Sequence, residues 1–419
     1  MSDLEPQGIH LMAKPVGPIC NLDCDYCFYL EKEQFHPKDN RFRMSDDVLR
    51  AYVGRYIAAQ NSSEVEFTWQ GGEPTLLGLE FFQRALAYQR EFGSGKVIRN
   101  TLQTNGTLLD DNWCAFLAKE GFTVGISLDG PQALHDLHRP DKRGRSSFDK
   151  VMRGLRLLQK YAIPFNVLVT VARETALQPL AVYRFLKDAG VRHIQFNPVV
   201  ERAPTTSDAS RGQQFATPPE LRLHDLQATT AQVTKHSVEA EAYGEFLVAI
   251  FNEWVRHDVG TVHVMNFEWA LAAWCQLPAS VCLFAPRCGK AAIVEHDGSL
   301  YSCDHYMYPE YRLGNIRTED PSALLASSAQ QAFGAAKEDA LPDYCLSCDY
   351  LFACHGECPK NRFIETPNGE PGLNYLCAGY KRYFRHITPY LNAMAKLLAH
   401  DQPANLIMQA FHGPLLIKL

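Results

Sequence analysis

The sequence predicts an α/β protein, an incomplete (β/α)6 TIM-like barrel followed by a C-terminal cysteine-rich domain. Between residues 8 and 200, short β-rich runs alternate with helical patterns at a spacing of about 30 residues, which is typical of parallel βα units. No G-x-G-x-x-G follows the first β-rich run, so a dinucleotide-binding sheet fits less well. Nine of the 13 cysteines lie between residues 275 and 377, which sets the second half of the chain apart.

The barrel elements follow from runs of β-branched and aromatic residues that are separated by amphipathic stretches. Six strands are predicted, at residues 8–13, 65–69, 97–104, 122–127, 165–171 and 193–198. Five helices are predicted between them, at residues 45–60, 80–92, 110–120, 147–161 and 177–189. Ser45 and Asp110 have side chains that helix N-caps prefer, so each is predicted to begin a helix.

Polar segments directly follow the first four predicted strands. Three cysteines follow the first strand, and Gly-Gly-Glu-Pro at 71–74 follows the second. Gln-Thr-Asn-Gly at 103–106 ends the third strand, and Ser-Leu-Asp-Gly-Pro at 127–131 ends the fourth. Because the carboxyl ends of parallel barrel strands meet at one face, all four segments are expected at one mouth.

Four regions are predicted along the 419 residues, a length that exceeds a comfortable single core. They are a partial barrel at 1–205, a linker with a helical segment at 206–275, the cysteine-rich domain at 276–385 and a helical tail at 386–419. Asp297-Gly298, flanked by residues 291–295 and 299–302, predicts a β-hairpin in the third region.

The bulk composition excludes several classes of protein. The formal net charge is -6, whereas a nucleic-acid-binding protein usually shows a basic face, so no nucleic-acid partner is expected. Residues 1–15 contain no signal-peptide pattern, and no apolar run reaches the length that spans a bilayer. A cytoplasmic protein without a membrane partner is therefore expected, and its 13 cysteines are not expected to form disulfides.

The first cysteine group has the spacing C-x3-C-x2-C, at Cys20, Cys24 and Cys27. Three thiolates on one short loop can hold three irons of a four-iron cluster and leave the fourth iron open to a substrate. A zinc site normally needs four ligands, and His36, nine positions past Cys27, is too far along the chain to complete a tetrahedron. Three buried structural cysteines are the alternative interpretation.

The second cysteine group contains C-x5-C, a single cysteine, and C-x2-C-x5-C-x3-C followed by a last cysteine. Its members are Cys282, Cys288, Cys303, Cys345, Cys348, Cys354, Cys358 and Cys377. Eight ligands could complete two iron–sulfur clusters or two zinc sites, because C-x2-C pairs occur in both. Cys114 and Cys275 remain, and both are expected to be buried core residues, with an alternative ligand as the second interpretation of Cys275 because it lies near the second group in sequence.

The triplet followed by Gly-Gly-Glu-Pro resembles the radical S-adenosylmethionine superfamily. The resemblance implies that Cys20, Cys24 and Cys27 hold a [4Fe-4S] cluster whose open iron is chelated by S-adenosylmethionine. It also implies that the edge at 71–74 receives the amino group of the cofactor, where glycines let backbone carbonyls approach closely.

The second group resembles the SPASM extension, which carries two auxiliary [4Fe-4S] clusters that transfer electrons. The resemblance implies three [4Fe-4S] clusters in all. It assigns four ligands to each auxiliary cluster: Cys282, Cys288, Cys303 and Cys358 to the first, and Cys345, Cys348, Cys354 and Cys377 to the second.

Within this superfamily the chain is most similar to anaerobic sulfatase-maturating enzymes. The similar blocks are residues 67–75, 102–107, 125–131 and 301–306. The resemblance implies that the chain oxidises an active-site cysteine or serine of a sulfatase to Cα-formylglycine under anaerobic conditions. A 5′-deoxyadenosyl radical would abstract a Cβ hydrogen, and the auxiliary clusters would accept the remaining electron.

The same resemblance assigns individual residues. Asp304, directly after Cys303, is the expected catalytic base, whereas a lone aspartate at a strand end is often only a turn cap. Five residues are expected to contact S-adenosylmethionine: Tyr26, Gly72, Ser127, Arg139 and Val200. Arg139 could pair with the carboxylate of the cofactor, although an arginine in such a segment is usually a solvated ion pair.

The expected partners are a sulfatase polypeptide with a Cys/Ser-x-Pro/Ala-x-Arg motif and a flavodoxin- or ferredoxin-type electron donor. Two alternatives remain open. A SPASM peptide maturase would form thioether or carbon–carbon cross-links, but such enzymes often carry an added N-terminal recognition domain, for which the early first strand leaves no room. A non-catalytic iron–sulfur electron carrier or zinc-binding protein would leave Gly-Gly-Glu-Pro without a purpose.

Overall fold

The computed structural model describes residues 9–36, 42–219 and 232–411. Residue 8, predicted to begin the first strand, lies outside the described residues. So do residues 220–231 of the predicted linker and residues 412–419 of the predicted tail.

The strands alternate with helices through the first half of the chain. The strands within the described ranges are β1 (His10–Lys14), β2 (Glu64–Trp69), β3 (Val97–Thr104), β4 (Thr123–Ser127), β5 (Phe165–Val171), β6 (His193–Pro198), β7 (His263–Val264), β8 (Ala291–Glu295), β9 (Ser299–Tyr301), β10 (Arg312–Asn315), β11 (Arg362–Ile364) and β12 (Leu373–Asn374). The α-helices are α1 (Asp46–Ala58), α2 (Leu79–Phe92), α3 (Asp111–Lys119), α4 (Gln132–His138), α5 (Phe148–Lys160), α6 (Arg173–Ala176), α7 (Pro179–Asp188), α8 (Thr206–Ser210), α9 (Ala240–His257), α10 (Met265–Trp274), α11 (Pro321–Leu325), α12 (Ser328–Asp339), α13 (Asp343–Leu346), α14 (Leu351–Cys354) and α15 (Cys377–Ala399).

One mixed sheet forms the centre of the molecule, with the strand order β10-β9-β8-β1-β2-β3-β4-β5-β6-β7. Strands β1 to β7 are parallel and adjacent in chain order. The predicted incomplete six-stranded barrel is therefore confirmed, and β7 adds one short strand at its edge. Among the described strands, β10 and β7 are the ends of the sheet, so the barrel stays open.

The barrel strands bury alternate side chains against the outer helices, as a period of two requires. In β2, Phe67 and Trp69 are fully buried. The ring of Phe67 packs 5.6 Å from the ring of Tyr52 on α1, and the ring of Trp69 packs 5.8 Å from that of Phe82 on α2. These aromatic contacts hold α1 and α2 on the outer face of the sheet and leave the mouth to the loops.

The helix starts agree only in part with the predictions. The carboxylate of Asp110 accepts the N–H of Trp113 at 2.8 Å, so the predicted cap of α3 is confirmed. Ser45 precedes α1, but its hydroxyl bonds to the carboxylate of Asp47 and makes no capping bond to the backbone. Helix α4 was not predicted, because its seven residues are too short for a clear helical period.

The predicted hairpin around Asp297-Gly298 is confirmed, and its first strand also pairs with the barrel. Strand β8 pairs with β9 in antiparallel register and also with β1 in parallel register, where Lys14 lies opposite Glu295. A strand edge left open exposes unpaired N–H and C=O groups, and β8 satisfies those of β1. The predicted boundary between barrel and cysteine-rich domain is thus crossed by one sheet.

Helix α15 crosses the predicted boundary at residue 386 and packs on α9 with almost no space between the backbones. A Cβ atom on Gly379 would lie 1.9 Å from the carbonyl oxygen of Ala240, and one on Gly244 would lie 2.5 Å from that of Gly379. None of the helices within the described ranges is long and apolar enough to cross a membrane.

Candidate active site

The cysteine loop (residues 17–27) leaves the carboxyl end of β1 and lies against the loop that follows β2. The N–H of Gly72 donates to the carbonyl of Gly17 at 2.8 Å, and the N–H of Glu73 donates to that of Ile19 at 2.9 Å. A Cβ atom on Gly72 would lie 1.9 Å from the Ile19 carbonyl oxygen. Gly72 was predicted to contact the cofactor. In the structure, its contact with the Ile19 carbonyl is the one that requires a glycine.

The carboxylate of Glu73 connects the loops after β2 and β3. Its oxygens accept the hydroxyl of Thr104 at 2.7 Å, the N–H of Asn105 at 2.7 Å and the hydroxyl of Thr75 at 2.6 Å. Burial raises the pKa of Glu73, and these hydrogen bonds oppose that shift. The buried carboxylate of Glu73 therefore joins the loops that form the mouth of the barrel.

The thiol of Cys20 receives hydrogen bonds from the loop after β3 and from its own loop. The side-chain amide of Asn105 lies 3.6 Å from Sγ of Cys20, and the N–H of Leu22 lies 3.4 Å from it. Burial is the main cause that raises the pKa of Cys20 to about 12 and raises the pKa of Cys24 and Cys27, and neighbouring thiols add to the shift at Cys20 and Cys24. These thiols are grouped, and burial disfavours them as free thiolates. Such a group fits a metal cluster, because bound metal would hold the thiols deprotonated.

Arg139 and Tyr26, two predicted cofactor contacts, meet at the buried carboxylate of Asp129. Nε of Arg139 donates to Oδ2 of Asp129 at 2.8 Å, and the hydroxyl of Tyr26 donates to the same oxygen at 2.6 Å. Arg139 is 7% exposed, so it is not a solvated ion pair. Its second nitrogen bonds to the hydroxyl of Thr170 at 3.1 Å. Sequence reasoning did not assign a role to Asp129, although it lies in the segment at 127–131.

The other two predicted cofactor contacts lie at strand ends of the same mouth. Ser127 ends β4, and its hydroxyl accepts the side-chain amide of Gln103 at 3.2 Å. Val200 follows β6 and is buried. The structure therefore brings residues from the ends of β1, β2, β4 and β6 to one face, as the parallel topology predicts.

Asp304, the predicted base, forms an ion pair that the sequence did not predict. Nζ of Lys14 lies 2.5 Å from Oδ1 of Asp304, and the aspartate side chain is 28% exposed. Burial is the largest single influence and raises the pKa of Asp304, but Lys14 and smaller contributions from other neighbours together lower it, so the carboxylate is charged. Lys14 ends β1, and a lysine at that position gives no sequence signal of such a pairing.

The first distal cysteine set lies beside Asp304. Its members are Cys282, Cys288, Cys303 and Cys358, and burial raises the pKa of each. Other thiols of the set add to that shift at Cys288, Cys303 and Cys358. The ammonium of Lys337 is buried among them and donates to the carbonyls of Cys282 and Leu283 at 2.7 and 2.8 Å. A cation beside four thiols fits an anionic cluster, and Lys337 was missed because its contacts are long-range.

The second distal cysteine set surrounds a cavity. The four thiols line it together with Tyr344, Tyr350, Leu351 and Phe384: Cys345, Cys348, Cys354 and Cys377. Arg362 is 1% exposed and donates to the carbonyls of Gly356, Lys337 and His355, between this set and the first. Four thiols around a single cavity with apolar walls fit a fully ligated cluster.

The two leftover cysteines have different surroundings. Cys114 is fully buried on α3, which confirms it as a core residue. Cys275, also predicted buried, is only partly buried at the end of α10. Neither belongs to a set described above.

A partial parallel barrel with three cysteines at its mouth and a second cysteine-rich domain on its edge defines a radical S-adenosylmethionine enzyme. Residues 15–197 match the Radical SAM superfamily, and residues 282–349 match SPASM, an iron–sulfur cluster-binding domain. Both domains imply bound iron–sulfur clusters, and the first implies S-adenosylmethionine.

The chain belongs to the family of anaerobic sulfatase-maturating enzymes. It is 43% identical to a serine-type anaerobic sulfatase-maturating enzyme of Bacteroides thetaiotaomicron, over 98% of this chain and 97% of that protein. It is 31% identical to a cysteine-type enzyme of Clostridium perfringens, over 91% of this chain and 97% of that protein. The solved structure of native anSMEcpe with bound AdoMet and Cp18Cys peptide has a TM-score of 0.80 at 31% identity, covering 93% of this chain and 99% of that one.

Proposed function

We propose that this chain converts a cysteine or serine in a sulfatase peptide to Cα-formylglycine with three [4Fe-4S] clusters. The observation that carries the proposal is the position of Asp304, a charged and partly exposed carboxylate next to Cys303 at the barrel mouth. The relatives named above, one of them solved with a peptide, support a polypeptide substrate.

The first cluster, held by Cys20, Cys24 and Cys27, and S-adenosylmethionine supply, when bound, the radical that removes one hydrogen atom from the substrate Cβ. Asp304 accepts the proton of the substrate hydroxyl or thiol, since its carboxylate is ionised and one side of it is open. One electron then has to leave the substrate, and the auxiliary clusters that the two distal cysteine sets would hold would accept it. A serine gives the aldehyde directly, and a cysteine gives a thioaldehyde that water hydrolyses.

The chain's own residues orient these partners. The residues proposed to contact S-adenosylmethionine are Tyr26, Gly72, Ser127, Arg139 and Val200. Two hydrogen bonds to Asp129 restrict the motion of the Arg139 guanidinium, which would pair with the carboxylate of the cofactor. For the electron supply we infer a flavodoxin- or ferredoxin-type donor.

The direct test is an anaerobic incubation of reconstituted protein with reductant, S-adenosylmethionine and a Cys-x-Pro-x-Arg peptide, in parallel with its serine counterpart. We expect an aldehyde by mass spectrometry, with the serine peptide accepted at least as well, because the serine-type relative is more similar than the cysteine-type one. Cofactor cleavage without aldehyde would favour a cross-linking maturase instead.

Two cysteine variants, one at a proposed ligand and one elsewhere, provide a matched comparison. Cys27→Ala removes a proposed ligand of the first cluster and is expected to abolish cofactor cleavage. Cys114→Ala removes a thiol that lies outside all three sets and is expected to retain it. Equal loss in both variants would contradict the assignment of Cys27.

A further inference from the structure

Lys14 is a buried lysine at the carboxyl end of β1, and the reaction proposed above assigns it no role. Its side chain is 2% exposed, and its Nζ lies 2.5 Å from Oδ1 of Asp304. Oδ1 itself is buried, so the 28% exposure of Asp304 belongs to the rest of its side chain. The ion pair therefore covers one carboxylate oxygen and leaves the other side of the residue open.

The ammonium of Lys14 contacts the ring of Tyr29, and Tyr29 in turn bonds to Glu295. Nζ lies 4.3 Å from the centre of the Tyr29 ring, a cation–π contact, and the hydroxyl of Tyr29 donates to the carboxylate of Glu295. Glu295 is the parallel-register partner of Lys14 across β1 and β8. Because the sheet aligns both residues, the ammonium is held by the same strands that join the barrel to the cysteine-rich domain.

A buried ammonium loses its hydration, which costs free energy unless a partner offsets it. An apolar side chain of similar length would avoid that cost if packing were all that the site required. The ion pair with Asp304 thus points to a requirement of the aspartate, whose carboxylate must face one direction to accept a proton.

We infer that Lys14 is a positioning residue for the proton-accepting step. By binding Oδ1, it fixes the rotation of the Asp304 carboxylate and leaves the second oxygen for the substrate hydroxyl or thiol. The inference rests on the proposed function, because it gives Lys14 a task only if Asp304 is the base. Lys14 acts through Asp304 and need not touch the substrate.

The distinguishing measurement is the ratio of aldehyde to 5′-deoxyadenosine. Removal of the Cβ hydrogen precedes proton acceptance, so misplacing Asp304 should uncouple the two products rather than stop cofactor cleavage. In Lys14→Met we expect the ratio to fall by about tenfold or more, since a positioned base contributes ~100-fold or more. Lys160→Met, which removes an exposed lysine paired with Asp111, should keep the wild-type ratio.

Two further measurements separate positioning from a general structural role. Iron content and the cluster spectra of each variant should match the wild type. A crystal structure of Lys14→Met should show the Asp304 carboxylate rotated from the position described here. If Lys14→Met fails to assemble its clusters, Lys14→Gln provides the smaller change, and the same fall in ratio is expected.

A wild-type ratio in an intact Lys14→Met or Lys14→Gln variant, or an unmoved carboxylate, would overturn the inference. Loss of clusters in both variants would also overturn it, because Lys14 would then serve the fold. Absence of aldehyde from the wild-type protein would instead refute the proposed function, so the two failures are distinguishable.

Discussion

At the scale of single residues, the mouth of the barrel contains buried charged side chains, each of which has a hydrogen-bonding or oppositely charged partner. Asp129 is 1% exposed and accepts hydrogen bonds from Tyr26, Arg139 and the N–H of Thr170. Burial is the largest single influence and raises the pKa of Asp129, but the guanidinium of Arg139 and the hydrogen bond from Tyr26 together with smaller contributions lower it overall. Removing one partner of such a buried pair leaves an uncompensated charge, so these positions are sensitive to substitution.

Asp304→Asn tests the base directly. An amide cannot accept the proton, so we expect the rate of aldehyde formation to fall by about 100- to 10,000-fold while cofactor cleavage persists. Both products can be quantified in one anaerobic assay. Asp349→Asn, an exposed aspartate beside Cys348, is the control and should behave as wild type. Near-wild-type aldehyde formation by Asp304→Asn would show that another group is the base.

His135 has a hydrogen-bond pattern that defines its neutral form. The hydroxyl of Ser147 donates to the carbonyl of Arg139 at 2.6 Å, so Nε2 of His135 is the donor to Ser147. Nδ1 then accepts the N–H of Asp129 at 3.4 Å. Burial is the main cause that lowers the pKa of His135 to about 4 from 6.5.

This lowered pKa predicts a loss of stability in acid. Between pH 6.5 and about 4 the unfolded chain binds a proton at His135 that the native protein does not bind. The free energy of unfolding should therefore fall as the pH falls, by up to about 1.4 kcal/mol per pH unit. Urea unfolding across this range should show a shallower pH dependence in His135→Gln. His400→Gln, at an exposed histidine, should keep the wild-type slope; identical slopes in all three proteins would argue against the prediction.

At the scale of elements, the loops at the mouth are positioned by backbone contacts that leave no space for a side chain. The loop after β2 bonds to the cysteine loop at Gly17 and Ile19, and the loop after β3 bonds to it through Asn105. Helix α15 approaches α9 in the same way at Gly379. Since α15 begins at Cys377, that approach also places a proposed cluster ligand.

Gly72→Ala tests the loop contact. The added methyl group would lie 1.9 Å from the carbonyl oxygen of Ile19, so the cysteine loop must move. We expect loss of the first cluster, which is roughly a third of the iron of three four-iron clusters, while the auxiliary clusters remain. Iron analysis and electron paramagnetic resonance would measure this. Gly54→Ala adds a methyl group on α1 at 3.3 Å from the Phe92 ring and should retain all its iron; full iron in Gly72→Ala would contradict the expectation.

At the scale of the whole molecule, barrel and cysteine-rich domain share one sheet. Strand β1 lies between β2 and β8, and its end carries Lys14 toward Asp304, which follows β9. The proposed base therefore reaches the mouth because the second domain adds strands to the barrel. Two independently packed domains would not fix the distance between Lys14 and Asp304.

The shared sheet predicts that residues 1–205 do not fold alone. Without β8, five residues of β1 from His10 to Lys14 lose their pairing on one side, and an open apolar edge promotes aggregation. We expect this fragment to sediment as aggregates, whereas the full chain under the same conditions stays in solution. A monomeric, cooperatively unfolding fragment would show that the predicted boundary at residue 205 is a true domain boundary.

Local sequence patterns account for the structural elements that were predicted correctly. Alternating βα patterns predicted the six barrel strands, Asp-Gly predicted the hairpin, and the cysteine spacings predicted two groups of thiols, of which the resemblance divides the second into two sets. The individual site residues rest on resemblance and remain predictions. Helix α4 escaped because it is short, and Lys14 and Lys337 escaped because their partners are distant in sequence. Asp129 escaped because its bond to Tyr26 joins residues that are far apart in the chain. Arg362 escaped because it bonds to backbone carbonyls, which carry no residue-type signal.

The sequence by itself determined the fold class, the grouping of cysteines and the segments that meet at the mouth, because periodicity, turn chemistry and ligand spacing are local properties. Only the tertiary structure decided that β8 pairs with β1, that Gly72 lies against Ile19 and that Lys14 binds Asp304. These are contacts between residues far apart in the chain. Their free energy depends on burial and distance, and neither exists until the sheet has formed.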